Sequence, residues 1–138
     1  MTPAALAAIH AAAFTTPRPW AAAEFAGFLG DPLCFLVSET GGFALGRVVA
    51  GEAELLTIAV LRELRRQGLG RRLLKTFLAE ARARGGDAAF LEVAATNGAA
   101  IALYQSLGFA EVGRRPGYYA GAGQAVDALC FSVKLPTT

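Results

Sequence analysis

The segment 52–84 constrains the fold more than any other part of the chain. An apolar β-type run, 52–60, leads into Arg65-Arg66-Gln67-Gly68-Leu69-Gly70-Arg71, and a long helical pattern follows at once. Leu69, Leu73, Leu74, Phe77, Leu78 and Ala81 recur at helical spacing with Arg, Lys and Glu opposite, so 69–84 is a helix with one buried face. Gly85-Gly86 ends it. A strand, a glycine loop and a helix in that order suit an anion. Glycines let the main chain approach a ligand closely, and the helix start presents unsatisfied N–H donors at its positive end. Arg65, Arg66 and Arg71 can each add a charge-assisted hydrogen bond of roughly 1.5–3 kcal/mol. The loop is therefore a candidate pyrophosphate cradle, and the chain a candidate cofactor-dependent group-transfer enzyme.

Two commoner phosphate loops are excluded. The Walker pattern needs Gly, four residues, then Gly-Lys-Ser/Thr, and no such string occurs. The dinucleotide fingerprint needs a third glycine three residues after Gly70, where Leu73 stands. What remains is Arg65-x-x-Gly68-x-Gly70.

The rest of the chain mixes strands and helices. Thr2-Pro3 caps a first helix over 3–14. A loop with Pro17 and Pro19 leads to a second helix over 20–29, closed by Gly30. Runs 34–39 and 43–49 are strands joined across Gly41-Gly42. A short apolar strand follows at 88–93, then a helix capped by Thr96 or Asn97 and ending at Leu107-Gly108. Two last strands, 109–115 and 127–133, flank a Gly- and Tyr-rich loop. A hairpin half followed by a β-α-β-α-β half is an α+β or mixed α/β sheet. No repeat or linker divides the chain, so one domain over 1–138 is expected.

Composition narrows the function class. A hydrophobic fraction of 54% with 17% charged residues fits a packed globule. Thirty alanines inflate that fraction without implying a membrane. The longest apolar run, 4–14, is too short to span a bilayer and lacks the basic start of a signal peptide, which points to the cytoplasm. A net charge of +2 argues against a nucleic-acid-binding face. Arg62, Arg65, Arg66, Arg71, Arg72 and Lys75 nevertheless cluster, and that cluster calls for an anion. Cys34 and Cys130 are expected as buried thiols, and with a single His they leave no set of metal ligands. His10 is expected to be an ordinary residue of the first helix.

Arg65-x-x-Gly68-x-Gly70 resembles the acetyl-CoA signature of the GCN5-related N-acetyltransferases. The resemblance runs over 54–119 and includes Leu56-Thr57-Ile58-Ala59-Val60, Arg66-Gln67-Gly68-Leu69-Gly70-Arg71, Leu91-Glu92-Val93, Thr96-Asn97, and 99–104 followed by Leu107-Gly108-Phe109. Five strings in register are similar to the RimI-type branch, which acetylates the N-terminal alanine of a small-subunit ribosomal protein. The resemblance implies a mixed, mostly antiparallel sheet flanked by about four helices, here without the family's first edge strand. It implies acetyl-CoA as co-substrate and no metal. It implies the N-terminus of a ribosomal or other protein as partner, no nucleic acid or membrane, and a monomer or weak dimer. Acetylation of a small amine, or coenzyme A binding without catalysis, are the alternatives; a pure binder would need neither Glu92 nor Tyr104.

Site residues carry over position by position. The main chain of Ile58, Ala59 and Val60 is implied to hold the pantetheine arm, with an N–H near Val60 polarising the thioester carbonyl. Arg65, Arg66, Gln67, Gly68, Leu69, Gly70 and Arg71 are implied to take the pyrophosphate, and Asn97 is implied as a further cofactor contact, a helix cap being an equally good local account of it. Glu92 interrupts an apolar strand, uncommon for a carboxylate, and is implied as general base through water. Tyr104 shares a helix face with Asn97 and Ile101 and is implied as the group that meets the departing thiolate. A phenol near pKa 10 protonating a thiolate near 8.5 is uphill by roughly 2 kcal/mol, so hydrogen bonding is its expected role. Trp20, Tyr118 and Tyr119, placed in loops, are implied to border the peptide slot. The branch favours Arg where this chain has Ala94 and Asn where it has Gly117, departures that bear on which peptide is accepted.

Overall fold

The strand Gly42–Val49 is buried on both faces, and that fixes the layering. In the computed structural model, which describes residues 1–14, 18–120 and 125–136, the elements run α1 (Pro3–Ala13), α2 (Ala22–Leu29), β1 (Cys34–Glu39), β2 (Gly42–Val49), β3 (Glu52–Val60), α3 (Leu69–Ala83), β4 (Ala88–Ala94), α4 (Gly98–Ser106), β5 (Ala110–Ala120) and β6 (Ala125–Lys134). Pro17 and the tip of the Gly-rich loop at 121–124 lie outside the described residues. Side chains alternate along β2: Phe43 and Leu45 pack with Leu6, Phe25 and Ala59 under α1 and α2, while Ala44 and Val48 face the α3 side. Gly46 belongs to the second face, where a Cβ would lie 2.5 Å from Phe77 and 2.7 Å from Phe35. The absent side chain lets α3 seat its aromatic residue against the sheet.

The buried face of α3 is the predicted one: Leu69, Leu73, Leu74, Phe77 and Ala81. Each large side chain there contributes roughly 1.5–3 kcal/mol of burial. The helix ends at Ala83, with Gly85 in the left-handed conformation beyond it (φ +91°).

The sheet has six strands in the order β1-β2-β3-β4-β6-β5. Every neighbouring pair is antiparallel except β3 and β4, which the α3 crossover makes parallel. That parallel pair is short. It joins Glu52, Ala53 and Glu54 to Ala88, Ala89 and Phe90, and beyond Phe90 the two strands part. β4 keeps its partner β6 through Ala94, and β3 keeps β2 through Val60. The sheet is thus split down its middle over one half of its length.

Two expectations change. Tyr118 and Tyr119 lie on β5, not in a loop. Pro116-Gly117 reads as a turn, but the register slips between Arg115 and Tyr119 and the strand continues. Gly117 takes φ +61° there, and its N–H donates to Asp127 Oδ1 at 2.8 Å. The two thiols are half-buried rather than fully buried, and both are unbridged. Among the described residues no helix is long and apolar enough to cross a membrane.

Candidate active site

The split between β3 and β4 opens two cavities that share a wall. The larger, about 710 Å³, is lined by Ile58, Ala59 and Val60 of β3, by Arg65, Arg66, Gly68, Leu69, Gly70 and Arg71, and by Asn97 and Tyr104 of the α4 side. The smaller, about 400 Å³, takes in Trp20, Thr57, Glu92, Tyr118 and Tyr119. Phe14, Ile58, Asn97, Ala100 and Tyr104 line both. All predicted site residues except Gln67 line one cavity or both; the Gln67 amide turns back to the Glu63 carbonyl at 3.3 Å.

The larger cavity is shaped for an anionic, extended ligand. Arg66 (φ +64°) and Gly68 (φ +79°) are both left-handed, the alternation that gathers main-chain N–H groups into an anion-binding concavity. The loop leads into α3, whose first intrahelical bond joins the Arg72 N–H to the Gly68 carbonyl, so the amides of residues 69–71 have no such partner. No side chain caps this helix and no acid stands in its first turn. α1, by contrast, is capped by Thr2 and α4 by Asn97. A Cβ on Gly68 would meet only Arg72 Nη1 at 3.8 Å, so the glycine answers the backbone angle, not crowding. Upstream, Leu61 donates to the Gly41 carbonyl across the sheet. Alternation along β3 then turns the N–H groups of Val60 and Ile58 toward the split. These residues fit a diphosphate followed by an amide-bearing arm.

The arginines divide their work. Arg65 donates to the Ala13 carbonyl at 3.2 Å, tying the loop to α1, and Arg71 donates to Ser106 Oγ at 2.9 Å, tying α3 to α4. Arg72 faces away and pairs with Glu39 at 3.0 Å, so part of the basic cluster finds its anion within the protein. Asn97 caps α4 through Oδ1, which accepts from the Ala100 N–H at 3.2 Å, and lines both cavities as well. A Gly68→Val substitution forces a β-branched residue to positive φ, at a cost of about 1–3 kcal/mol. The acetyl-CoA KM is expected to rise about tenfold or more while the acceptor KM stays nearly constant, measured by thiol release.

The smaller cavity is aromatic and is lined by two carboxylates, Glu92 and Glu54, the latter paired with Arg47 at 2.8 Å. Glu92 Oε1 lies 3.2 Å from the Arg115 guanidinium, and Oε2 is buried without a hydrogen-bond partner among the described residues. Arg115 sits over the Tyr118 ring, 5.1 Å from its centroid, and Tyr118 meets Tyr119 edge-on with centroids 5.2 Å apart. Tyr104 is 5% exposed. Burial pushes its phenol well above the ordinary tyrosine range, with Tyr119 adding to the shift, and burial pushes Tyr119 up to about 12.

His10 is a residue of the first helix, as expected, and it also reaches the smaller cavity, which the sequence does not show. It is 1% exposed, hydrogen-bonded to Thr57 and to the Trp20 main chain, and it lines the smaller cavity. The available signal was a lone imidazole in an alanine-rich apolar run. Burial lowers its pKa from 6.5 to about 4, opposed weakly by Glu24. Above pH 6.5 the ring is neutral whether folded or unfolded; between 6.5 and about 4 only the unfolded chain takes up the proton, so stability falls with pH across that window. Urea unfolding at pH 7 and pH 5 is expected to differ by about 1–2 kcal/mol from this residue, and His10→Phe removes that part of the difference.

A split sheet with an anion-suited glycine loop at one cavity and carboxylates in the other suits group transfer from an anionic cofactor. The family model described as "Acetyltransferase (GNAT) family" matches residues 5–109, and the chain belongs to that family: it is an acyltransferase that uses acetyl-CoA. Over 121 residues it is 41% identical to the [ribosomal protein bS18]-alanine N-acetyltransferase of Escherichia coli K12, covering 85% of this chain and 82% of that one. The crystal structure of the ribosomal-protein-S18-alanine N-acetyltransferase from Escherichia coli matches with a TM-score of 0.86 at 37% identity, over 99% of this chain and 88% of the other. A Salmonella typhimurium protein solved with its cofactor acetyl-CoA matches with a TM-score of 0.78 at 25% identity, over 99% and 90%.

Proposed function

We propose that this chain transfers the acetyl group of acetyl-CoA to the N-terminal α-amine of a protein, the N-terminal alanine of a small-subunit ribosomal protein, by direct attack of the amine on the thioester. The observation that carries the reading is the shared wall: two cavities of different chemistry meet at Ile58, Asn97 and Tyr104. The acceptor identity is supported by the Escherichia coli relative, named for alanine of bS18 and covered over most of both chains.

Bound acetyl-CoA supplies an acetyl group activated as a thioester. The residues of this chain hold, orient and exchange protons. The 65–71 loop and the start of α3 bind the diphosphate, and the split edge of β3 binds the arm, with an N–H near Val60 aimed at the carbonyl oxygen. Glu92 takes a proton from the acceptor ammonium, directly or through one water. An α-amine with pKa near 8 needs less help than a lysine near 10.4, which suits a carboxylate base. Tyr104 donates a hydrogen bond where the sulfur leaves. Trp20, Tyr118 and Tyr119 border the peptide. We read residues 1–138 as one N-acetyltransferase domain acting in the cytoplasm as a monomer or weak dimer, without nucleic acid or membrane.

The test is thiol release from acetyl-CoA against peptides differing at the first residue, an N-blocked peptide and a panel of small amines. Turnover highest with N-terminal alanine and absent with the blocked peptide is expected. Preference for a small amine moves the acceptor, and tight coenzyme A binding with no turnover on any amine reduces the chain to a binding module.

A further inference from the structure

His10 is a buried titratable group in the wall of the smaller cavity that the transfer chemistry leaves unused. Both of its ring nitrogens are engaged. The Trp20 main-chain N–H donates to Nδ1 at 2.9 Å, and Nε2 lies 2.9 Å from Thr57 Oγ1. A main-chain N–H can only donate, so Nδ1 carries the lone pair, Nε2 carries the proton, and the ring donates to the threonine oxygen. Neither nitrogen is left to exchange a proton with an acceptor. The ring also stacks on Trp20 (centroids 5.1 Å, 29°) and tilts against Phe14 at 4.5 Å. His10, Phe14, Trp20 and Thr57 all line the smaller cavity, yet they come from α1, the segments after it and β3. The imidazole is the polar link among them.

We infer that His10 is a positioning residue that pins the Trp20 segment to β3 and so sets the acceptor end of the site, governing recognition of the incoming amine and not of acetyl-CoA. The inference rests on the smaller cavity being the acceptor slot. Its geometry favours that division of labour, because none of His10, Trp20 and Thr57 lines the larger cavity. A phenylalanine at position 10 can fill the ring's volume while losing both polar ties. An asparagine can keep one of them, since its Oδ1 stands close to where Nδ1 accepts.

Steady-state kinetics with an alanine-initiated peptide, run on wild type, His10→Phe and His10→Asn, test the proposal. In His10→Phe the acceptor KM is expected to rise about tenfold, while kcat and the acetyl-CoA KM move by less than about threefold. His10→Asn recovers most of the loss. An unchanged acceptor KM in His10→Phe, or equal rises in both KM values, overturns it. Trp20 is the single tryptophan, so its emission follows the segment without turnover. If the wild type acetylates no N-terminal peptide, the acceptor reading fails by itself; an emission shift to longer wavelength in His10→Phe still supports the pinning, and unshifted emission overturns it. Should His10→Phe not fold, Thr57→Val keeps the ring and removes its anchor on β3. It is expected to raise the acceptor KM about threefold, and no rise overturns the proposal.

Discussion

Replacing Glu92 by glutamine is expected to lower kcat by about 10²–10⁴-fold with the acetyl-CoA KM nearly unchanged. The expectation comes from where the side chain sits. One carboxylate oxygen is held by Arg115 at 3.2 Å, and the other is buried with no partner among the described residues. A carboxylate oxygen that lines the cavity and has no protein donor is placed to accept from a group that enters there. An incoming ammonium or its water offers the missing donor, and the same oxygen can then keep the proton. Glutamine has nearly the same shape but cannot hold the proton. Its amide oxygen can still accept from Arg115, and the ion pair it replaces is partly exposed, so the variant should unfold close to wild type. An activity loss would therefore report chemistry. The measurement is thiol release at saturating acetyl-CoA, paired with thermal unfolding; an unchanged kcat would return Glu92 to a strand residue paired with Arg115.

The site was legible in the sequence to the extent that it is built from main chain. The run 52–60, the loop 65–71 and α3 announce themselves through β-type composition, glycine spacing and helical period, and the cradle needs little else. Side-chain pairing is where one dimension ends. Nothing local distinguishes Arg72, which is taken by Glu39, from Arg66, which lines the larger cavity. Tyr118 and Tyr119 looked like loop residues because the stretch after Arg115 is rich in Gly and Tyr, whereas the chain uses Gly117 as an irregular point within β5. A glycine at positive φ serves either purpose, and only the pairing with β6 decides. His10 was hidden for a similar reason. A helical pattern says which face is apolar, not that an imidazole on it meets a threonine forty-seven positions away. The parting of β3 from β4 was the least visible feature in the residues alone, since it follows from where the partners β2 and β6 keep each strand.

Replacing Tyr104 by phenylalanine is the second large effect, and its pH behaviour separates two roles. Burial, with Tyr119 nearby, raises the phenol far above its ordinary range. A proton passed to a thiolate near 8.5 was already uphill by roughly 2 kcal/mol from a phenol near 10, and burial makes it steeper. In the proposed reaction the hydroxyl is therefore expected to serve as a neutral donor to the sulfur as charge develops, an interaction worth about 1.5–3 kcal/mol, or roughly ten- to a hundredfold in kcat. Since a raised pKa keeps the phenol protonated well past pH 10, the ratio of wild-type to variant kcat is expected to stay constant from pH 7 to about pH 10. A ratio that collapses toward unity as pH rises through that range would mean a titrating acid instead. The ring itself packs against Phe109 and Phe131, with centroids 5.9 and 6.5 Å away, and phenylalanine preserves both contacts. Stability below pH 10 should thus hold, and the acetyl-CoA KM should change far less than kcat. An unchanged kcat would leave Tyr104 as the core aromatic that closes the shared wall.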